Sequence, residues 1–419
     1  MRPDGRISGG VGGQVPPQKN PSRQQASHET ASHSPHEMRL DGRISGGVGG
    51  QVPPQKKIKE DQMDKGFRIG PIEVKPATAL APMEGITDAS FRRLIRKCGG
   101  CGLTVTEFVN CEALAREVDR TWSKTKTDDE GPASVQIYGR DPERLALAAQ
   151  MCEARGAQIV DLNLGCPAKQ VVSGNAGSAL MKEPALCARI FRAVREAISI
   201  PLTVKMRLGW NAHSMNALEI ARMAQEEGLQ MVVVHGRTRE EGYRGRSHWE
   251  CVRPIAEALH IPVLVNGDIL TRADARRAIE LSGASGIMVG RGLLRNPWLL
   301  CQIAQENAGE PVFEPSLEAR CAFVCEYMDS LASLDISPGG VLGKIKCFLG
   351  YFTRGLAYSS QMRERAYRLD TVEAVRAAVL SYFEMLSREK LDGVFDEVVA
   401  EAGVNDRFKE GDPRRMDSV

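Results

Sequence analysis

Short runs of aliphatic residues alternate with longer amphipathic stretches between residue 67 and about residue 297. Eight of these runs are rich in Val, Ile and Leu, which is typical of strands buried on both faces of a parallel sheet. The predicted strands are Thr78–Met83, Leu103–Phe108, Ser134–Tyr138, Ile159–Leu164, Leu202–Arg207, Met231–His235, Pro262–Asn266 and Gly286–Val289. The stretches between them, such as Pro142–Arg155 and Asn216–Glu227, have the spacing of amphipathic helices.

Eight βα units over about 235 residues match the size of a TIM (β/α)8 barrel, for which about 250 residues are typical. A doubly wound sheet usually has fewer strands, and no G-x-G-x-x-G follows the first strand here. The pattern therefore predicts an α/β chain with a TIM barrel over residues 67–312. After Pro297 only helical patterns remain, which predicts an all-helical domain over 313–403 and a charged C-terminal tail over 404–419.

The N-terminus is a near-perfect repeat, since residues 1–19 recur as residues 38–56 with a single mismatch. The two copies are rich in Gly, Pro, Ser and Gln and have almost no apolar pattern, so they cannot build a core. We expect residues 1–66 to form a disordered extension. A recent duplication, or a true start at Met63, is favoured over a basic arm that touches RNA.

The composition changes this picture little. With 42% hydrophobic and 26% charged residues the chain is typical of a soluble globular protein, and no apolar run of about 18 residues predicts a membrane span. The eleven cysteines are odd in number and scattered, which favours a reducing cytoplasm over a secreted disulfide framework. The net charge of +2 does not by itself indicate a nucleic-acid partner, so any basic surface must be local.

Polar side chains collect where the predicted strands end, which is where TIM barrels build their active sites. They are Glu84, Gln136, Asn163, Cys166, Lys205, Arg207, His235, Arg237, Asn266, Gly267, Asp268, Gly290 and Arg291. The last two loops, VNGDI and VGRGLL, contain glycines that let backbone N–H groups approach an anion, and Arg291 adds a charge. Together with Lys205 and Gln136 in the same mouth, they favour a phosphorylated cofactor.

Several motifs, taken in order, resemble the tRNA-dihydrouridine synthases. The motifs are APMEGITD (81–88), NLGCPAKQVVSGNAGSALMK (163–182), TVKMRLGW (203–210), VVHGRT (233–238), NGDI (266–269) and VGRG (289–292). The resemblance runs from about Ala77 to Arg295 and continues more loosely through the helical region at GKIKCFLGYF (343–352). Features of the B and C branches are mixed, so the sequence leaves open which D-loop uridine is modified.

The resemblance implies a barrel that holds FMN and reduces a D-loop uridine of tRNA to 5,6-dihydrouridine with electrons from NADPH. It assigns the flavin to Pro82, Met83, Glu84, Gln136, Lys205, His235, Asn266, Gly267, Asp268, Gly290 and Arg291. Many relatives carry Ala at the position of Glu84, so a backbone role is favoured there. We expect no metal, no membrane, no obligate protein partner and a monomer.

The candidate chemistry also follows from the residues themselves. Hydride enters uracil at C6, which leaves enolate character on C5 and a need for a proton. A cysteine with a pKa near ~8.5 is neutral at pH 7 yet acidic enough, and Cys166 follows the strand-end glycine. Asn163 and Arg207 are predicted to contact the substrate, and Lys205 to stabilise the negative charge of reduced flavin.

The helical region is predicted to be the main tRNA contact. Taken whole, residues 313–419 are acidic, with 14 Lys+Arg against 18 Asp+Glu. Between Lys344 and Arg376, however, the chain contains seven basic residues and only three acidic ones. The predicted phosphate contacts are Lys344, Arg363, Arg365 and Arg368. Lys344 and Lys346 are too close to share a helical face, so at most one of them points at the barrel mouth.

Two other functions stay open at this point. One is a different FMN barrel that acts on a small pyrimidine, similar to dihydroorotate dehydrogenase, although the helical domain would then be unnecessary. The other is a non-catalytic RNA-binding protein, which the presence of Cys166 and Lys205 disfavours. The pair Cys98 and Cys101 is interpreted as a helix-to-strand turn around two glycines rather than as a metal or redox site.

Overall fold

The computed structural model of the chain describes residues 65–127, 131–334 and 336–389. The strands are β1 Phe67–Ile69, β2 Ile72–Val74, β3 Thr78–Leu80, β4 Leu103–Val105, β5 Val109–Asn110, β6 Ala133–Tyr138, β7 Ile159–Leu164, β8 Leu202–Arg207, β9 Met231–His235, β10 Val263–Asn266 and β11 Gly286–Val289. The predicted disordered extension falls almost wholly outside the described residues, and the C-terminal tail lies entirely outside them.

The helices fill the connections and continue beyond the last strand. They are α1 Ala89–Cys98, α2 Cys111–Ala115, α3 Asp119–Ser123, α4 Pro142–Ala154, α5 Lys169–Ser173, α6 Pro184–Ala197, α7 Ala217–Glu226, α8 Arg253–Ala258, α9 Arg272–Ser282, α10 Arg291–Arg295, α11 Leu299–Ala308, α12 Leu317–Leu331, α13 Pro338–Phe352, α14 Ser359–Arg368 and α15 Val372–Arg388. None of the helices in the described ranges has the length and apolar character needed to span a bilayer.

Eight parallel strands close into a barrel, which confirms the predicted TIM fold. The strands β3, β4, β6, β7, β8, β9, β10 and β11 pair in sequence around the ring, and β11 returns to β3. The short β5 adds a parallel pairing on β6. Strand β3 stops at Leu80, earlier than predicted, because Pro82 has no N–H with which to continue the ladder.

The barrel interior is apolar in its lower part and polar above. Inward side chains near the starts of the strands form one cluster with the β1–β2 hairpin: Ile69, Val74, Ala79, Ala81, Leu103, Val105, Ile159, Met231, Val233, Leu264 and Met288. The alternate, outward residues of the same strands belong to the larger core beneath the helices. The hairpin, which the sequence analysis did not predict, packs against this interior through Ile69 and Val74.

The Cys98–Cys101 segment is the predicted turn between α1 and β4. Gly99 and Gly100 both have positive φ, and a Cβ at Gly100 would lie 2.3 Å from the Leu300 carbonyl oxygen. Only glycine fits this close approach to the start of α11. The described residues contain no group of three His, Cys, Asp or Glu side chains arranged to hold a metal ion.

The C-terminal helices pack directly on the barrel layer. Phe91 of α1 lies edge-on to Tyr327 and Phe348, with ring centroids 6.0 and 6.1 Å apart. One buried polar contact accompanies this aromatic packing. Lys344 of α13 is 7% exposed, lies 2.9 Å from Asp88 Oδ2 and donates to the Gly85 carbonyl at 2.7 Å. A domain boundary at residue 312 stays a prediction.

We expect Lys344→Met to lower the free energy of unfolding by about 3–5 kcal/mol, because it leaves the Asp88 carboxylate buried without its counter-charge. Chemical denaturation measures the loss. The control is the double variant Lys344→Met/Asp88→Asn, which removes both charges of the ion pair and keeps an amide oxygen to cap α1. It should be more stable than the single variant. A single variant as stable as the parent would contradict the assignment.

Candidate active site

The carboxyl ends of the strands bring most of the predicted site residues to one mouth. Gln136 and Asp161 are register partners, as are Asn163 and Lys205. On the next strands His235 pairs with Asn266. These side chains occupy the inward positions above the apolar cluster, because inward and outward residues alternate along each strand.

Cys166 sits in a loop that is held from two sides. The Asn163 Oδ1 accepts from the N–H groups of Gly165 at 3.0 Å and Cys166 at 2.9 Å. The Cys166 carbonyl accepts from the backbone and hydroxyl of Ser178 at 3.1 and 2.8 Å. Burial raises the pKa of the Cys166 thiol, so at neutral pH the group is a protonated, uncharged thiol.

Asn163 is itself held by a buried hydrogen-bonded chain. Its Nδ2 donates to Gln136 Oε1 at 2.8 Å, and Gln136 Nε2 donates to Asp161 Oδ2 at 2.6 Å. Gln136, predicted to bind the flavin, is fully buried. Asp161 was missed in the sequence analysis, although an acidic residue at an inward position of a buried strand was a usable signal.

Lys205 lies in the mouth and is only partly exposed. No hydrogen bond or ion pair engages its ammonium among the residues that the structure describes. Burial, and after it the positive charge of Arg207, lowers the pKa of Lys205 to about 8. Burial also lowers the pKa of His235 well below its usual value, and the surrounding cations add to this effect. His235 is therefore neutral at pH 7.

Arg207, predicted to contact the substrate, is only 1% exposed. Its Nε donates to the Gly165 carbonyl at 2.8 Å, and its NH1 donates to the carbonyls of Thr238 and Gly242, each at 2.9 Å. The guanidinium thus ties the loop that carries Cys166 to the loop after β9. Because Arg207 is buried behind both loops, its main role is to position these loops relative to each other.

The loop after β10 is ordered by a charge cluster. The Asp268 carboxylate accepts from Arg237 at 2.9 and 2.5 Å and lies 3.3 Å from Arg291. Gly267 has φ +114°, and a Cβ there would lie 2.4 Å from Ser247 Oγ and 2.8 Å from the His235 ring. Only glycine lets this backbone come so close to the mouth.

The loops after β11 and β3 meet beside this cluster. Gly290 precedes α10, and a Cβ at this position would lie 3.5 Å from both Ala81 and the Met83 sulfur. Pro82 and Met83, both predicted to hold the flavin, are partly exposed here. Glu84 points outward instead, and its carboxylate forms an ion pair with Lys124 at 2.6 Å.

The backbone of Gly85 is fixed by two buried side chains. Its N–H donates to Glu107 Oε1 at 2.5 Å, and its carbonyl accepts from Lys344. Burial raises the pKa of Glu107. Lys344, which the sequence analysis placed on the tRNA-facing surface, is instead engaged under this loop, because the buried Asp88 and Gly85 supply its partners.

The predicted basic surface of the helical region is also partly used inside the protein. Arg363 donates to the hydroxyls of Thr353 and Ser360 at 3.1 and 3.2 Å, and Lys346 donates to the Tyr367 carbonyl at 3.1 Å. Arg365 and Arg368 of α14 are exposed, although Arg368 forms an ion pair with Glu364 one turn away. The surface charge therefore rests mainly on these two arginines.

Comparison with known proteins identifies the family of the chain. The dihydrouridine synthase (Dus) family model matches residues 79–384. A probable tRNA-dihydrouridine synthase of Rickettsia bellii is 40% identical over 326 residues, which cover 77% of this chain and 99% of the relative. The tRNA-dihydrouridine synthases B of Xanthomonas axonopodis pv. citri and Pseudomonas aeruginosa are 37% and 36% identical; the alignments cover 76% and 75% of this chain, and 96% and 95% of those proteins. The resemblance that the motifs carry is confirmed, and the chain belongs to the dihydrouridine synthase family.

Proposed function

We propose that the protein is an FMN-dependent tRNA-dihydrouridine synthase that reduces the C5=C6 bond of a D-loop uridine to 5,6-dihydrouridine at the expense of NADPH. The observation that carries the proposal is the uncharged thiol of Cys166, a residue whose backbone N–H donates to Asn163 at the cationic mouth of the barrel. The relatives that align over nearly their whole length are named tRNA-dihydrouridine synthases, which supports the same substrate.

The residues at the mouth fit FMN. Lys205 is a half-buried cation that forms no ion pair among the described residues, and Arg291 adds a second half-buried charge beside the glycine loops, so the mouth favours an anionic ligand. The backbone of Gly267 approaches the mouth where no side chain would fit. The residues that would hold the cofactor are Pro82, Met83, Glu84 through its backbone, Gln136, Lys205, His235, Asn266, Gly267, Asp268, Gly290 and Arg291. When bound, FMN supplies the hydride for C6 of the uracil ring.

Cys166 supplies the proton. Reduction at C6 places negative charge on C5 and its conjugated carbonyl, and the Sγ–H of Cys166 donates to C5. The thiolate left behind is stabilised by Arg207 and Lys205, whose positive charges favour the ionised sulfur. Asn163 keeps the loop in place, and the second hydrogen of its amide is available to the polar edge of the base.

The helical region, residues 313–403 as predicted, is proposed to dock the tRNA. The exposed Arg365 and Arg368 provide charge for phosphates, and Arg363 lies half-buried beside them. Helix α13 reaches the rim of the mouth, because its Lys344 donates to the Gly85 carbonyl in the loop after β3. A duplex base cannot reach the barrel interior, so the target uridine must leave its stack.

The rest of the setting follows from the same chemistry. All eleven cysteines are free thiols, which suits a reducing compartment, and we propose that the enzyme works in the cytoplasm. A single chain carries the whole proposed site, since every residue assigned to it comes from the barrel or α14. The protein is therefore proposed to act as a monomer on tRNA.

Cys166→Ala should bind FMN and accept electrons from NADPH as the parent does, yet form dihydrouridine about 10²–10⁴-fold more slowly, because only the proton donor is lost. The measurements are flavin absorbance, anaerobic flavin reduction and single-turnover dihydrouridine formation. Cys111→Ala removes a buried thiol outside the mouth and serves as the control. A Cys166 variant that keeps most of its rate of dihydrouridine formation would overturn the assignment.

FMN affinity should fall as the pH rises through about 8, because Lys205 loses its proton there and the mouth loses a cation. An ordinary lysine would stay charged to about 10.4. Lys205→Arg should move the fall to higher pH, since the guanidinium keeps its charge. Lys205→Ala and Arg291→Ala should both be pale. Fluorescence titration with FMN between pH 7 and pH 9 measures the affinity of the parent and of each variant. A parent affinity that stays constant over this range would mean that Lys205 does not contact the anionic part of FMN.

Arg365→Glu/Arg368→Glu should weaken tRNA binding and flatten its salt dependence by about one unit of slope for each phosphate that is no longer bound. NADPH-dependent flavin reduction should be spared. The matched control is Arg192→Glu/Arg277→Glu, which makes the same charge change at two exposed arginines of the barrel helices, each ion-paired to a glutamate as Arg368 is. Equal tRNA affinity and slope in both double variants would move the docking surface to the barrel rim around Arg239 and Arg244.

A further inference from the structure

We propose that Asp161 is a positioning residue that sets the orientation of the Gln136 and Asn163 amides and so holds the Cys166 loop; the inference rests on the proposed role of Cys166. It begins with an unusual placement. Asp161 is 2% exposed at an inward position of β7, where the lower neighbours in the barrel are apolar. A buried carboxylate requires hydrogen-bond partners, and the partners of Asp161 indicate its role.

Two donors meet this carboxylate. Thr203 Oγ1 donates to Oδ1 at 2.5 Å, and Gln136 Nε2 donates to Oδ2 at 2.6 Å. Burial raises the pKa of Asp161 to about 6, which leaves the group mainly ionised at neutral pH. An ionised carboxylate only accepts hydrogen bonds, so the amide nitrogen of Gln136 must face it.

That requirement passes along the chain. With its nitrogen on Asp161, Gln136 presents Oε1 to Asn163, whose Nδ2 donates to it at 2.8 Å. The Asn163 Oδ1 then faces the N–H groups of Gly165 and Cys166. A side-chain amide is nearly symmetric in shape, so packing alone does not choose between its two orientations. The charge of Asp161 makes the choice.

The consequence falls on Cys166. If Asn163 turned over, its NH2 group would face two backbone N–H donors, and the loop would have to move to relieve the clash. Arg207, held on the Gly165 carbonyl, fixes the opposite side of the same peptide segment. Asp161 therefore acts on the Cys166 loop through two intervening side chains, Gln136 and Asn163, and does not itself contact the reacting atoms.

The alternative is that Asp161 serves only as a counter-charge for Lys205, whose pKa its carboxylate raises. A double-mutant cycle separates the two roles. Asp161→Asn, Asn163→Ala and the combined variant are treated as holoenzymes with N-ethylmaleimide, and modification of the Cys166 peptide is timed by mass spectrometry. Cys166→Ala gives the blank.

We expect Asp161→Asn to raise the alkylation rate of Cys166 about tenfold, the equivalent of one buried hydrogen bond, and to lower single-turnover dihydrouridine formation. Added to Asn163→Ala, it should change the alkylation rate no further, because both act through the same link. Thr203→Val removes the other donor but leaves Gln136 in place, and should alkylate like the parent.

If Cys166 of the Asp161→Asn enzyme is alkylated at the parental rate, the proposal is overturned. It is also overturned if the fold-changes in alkylation rate caused by Asp161→Asn and Asn163→Ala multiply in the combined variant. If Asp161→Asn does not fold, Gln136→Leu breaks the chain one link further on with the same expected rise, and a parental alkylation rate in that variant overturns the proposal equally. If Cys166→Ala keeps its rate of dihydrouridine formation, the proposed role of Cys166 as proton donor fails, while the alkylation cycle still decides whether Asp161 orients the loop.

Discussion

The register of β7 between β6 and β8 is the constraint on which the mouth of the barrel depends. It sets Asp161 opposite Gln136 and Thr203, and Asn163 opposite Lys205. Because side chains alternate between the two faces, a slip of one residue would turn these polar groups into the apolar layer beneath the helices. The outward neighbours in β7, the fully buried Val160 and the almost fully buried Leu162, resist that slip. The hydrophobic layer outside the barrel thus fixes the polar chemistry inside it.

The mouth built on this register carries more positive than negative charge. Arg237 is balanced by Asp268, and Asp161 is shared among neutral donors, but Lys205 and Arg207 face no carboxylate at hydrogen-bond distance among the described residues. Burying such charges costs free energy, which an anionic ligand would offset. Burial lowers the pKa of His235, and the same surplus of positive charge adds to this effect, so His235 stays neutral.

Much of this arrangement follows from the sequence, and the exceptions have physical causes. Strands β7, β8, β9 and β11 have the predicted bounds because their apolar runs end at polar or glycine residues. The β1–β2 hairpin was missed because strands of three residues show no periodicity. The burial of Lys344 was not predictable, since its partner Asp88 is more than 250 residues away and only the packing of α13 joins them. The role of Asp161 could not be predicted because it depends on partners in two other strands.

The charge of the mouth also decides which group gives up a proton in the proposed reaction. His235 is neutral, so at pH 7 it has no readily released proton. Lys205 is protonated, but a neutral amine would no longer attract an anionic cofactor. Cys166 alone starts uncharged and becomes negative, and the positive charges of Arg207 and Lys205 stabilise the thiolate that forms. Proton donation by the thiol therefore reduces the charge surplus of the mouth, whereas donation by Lys205 would remove a cation that is proposed to hold the cofactor.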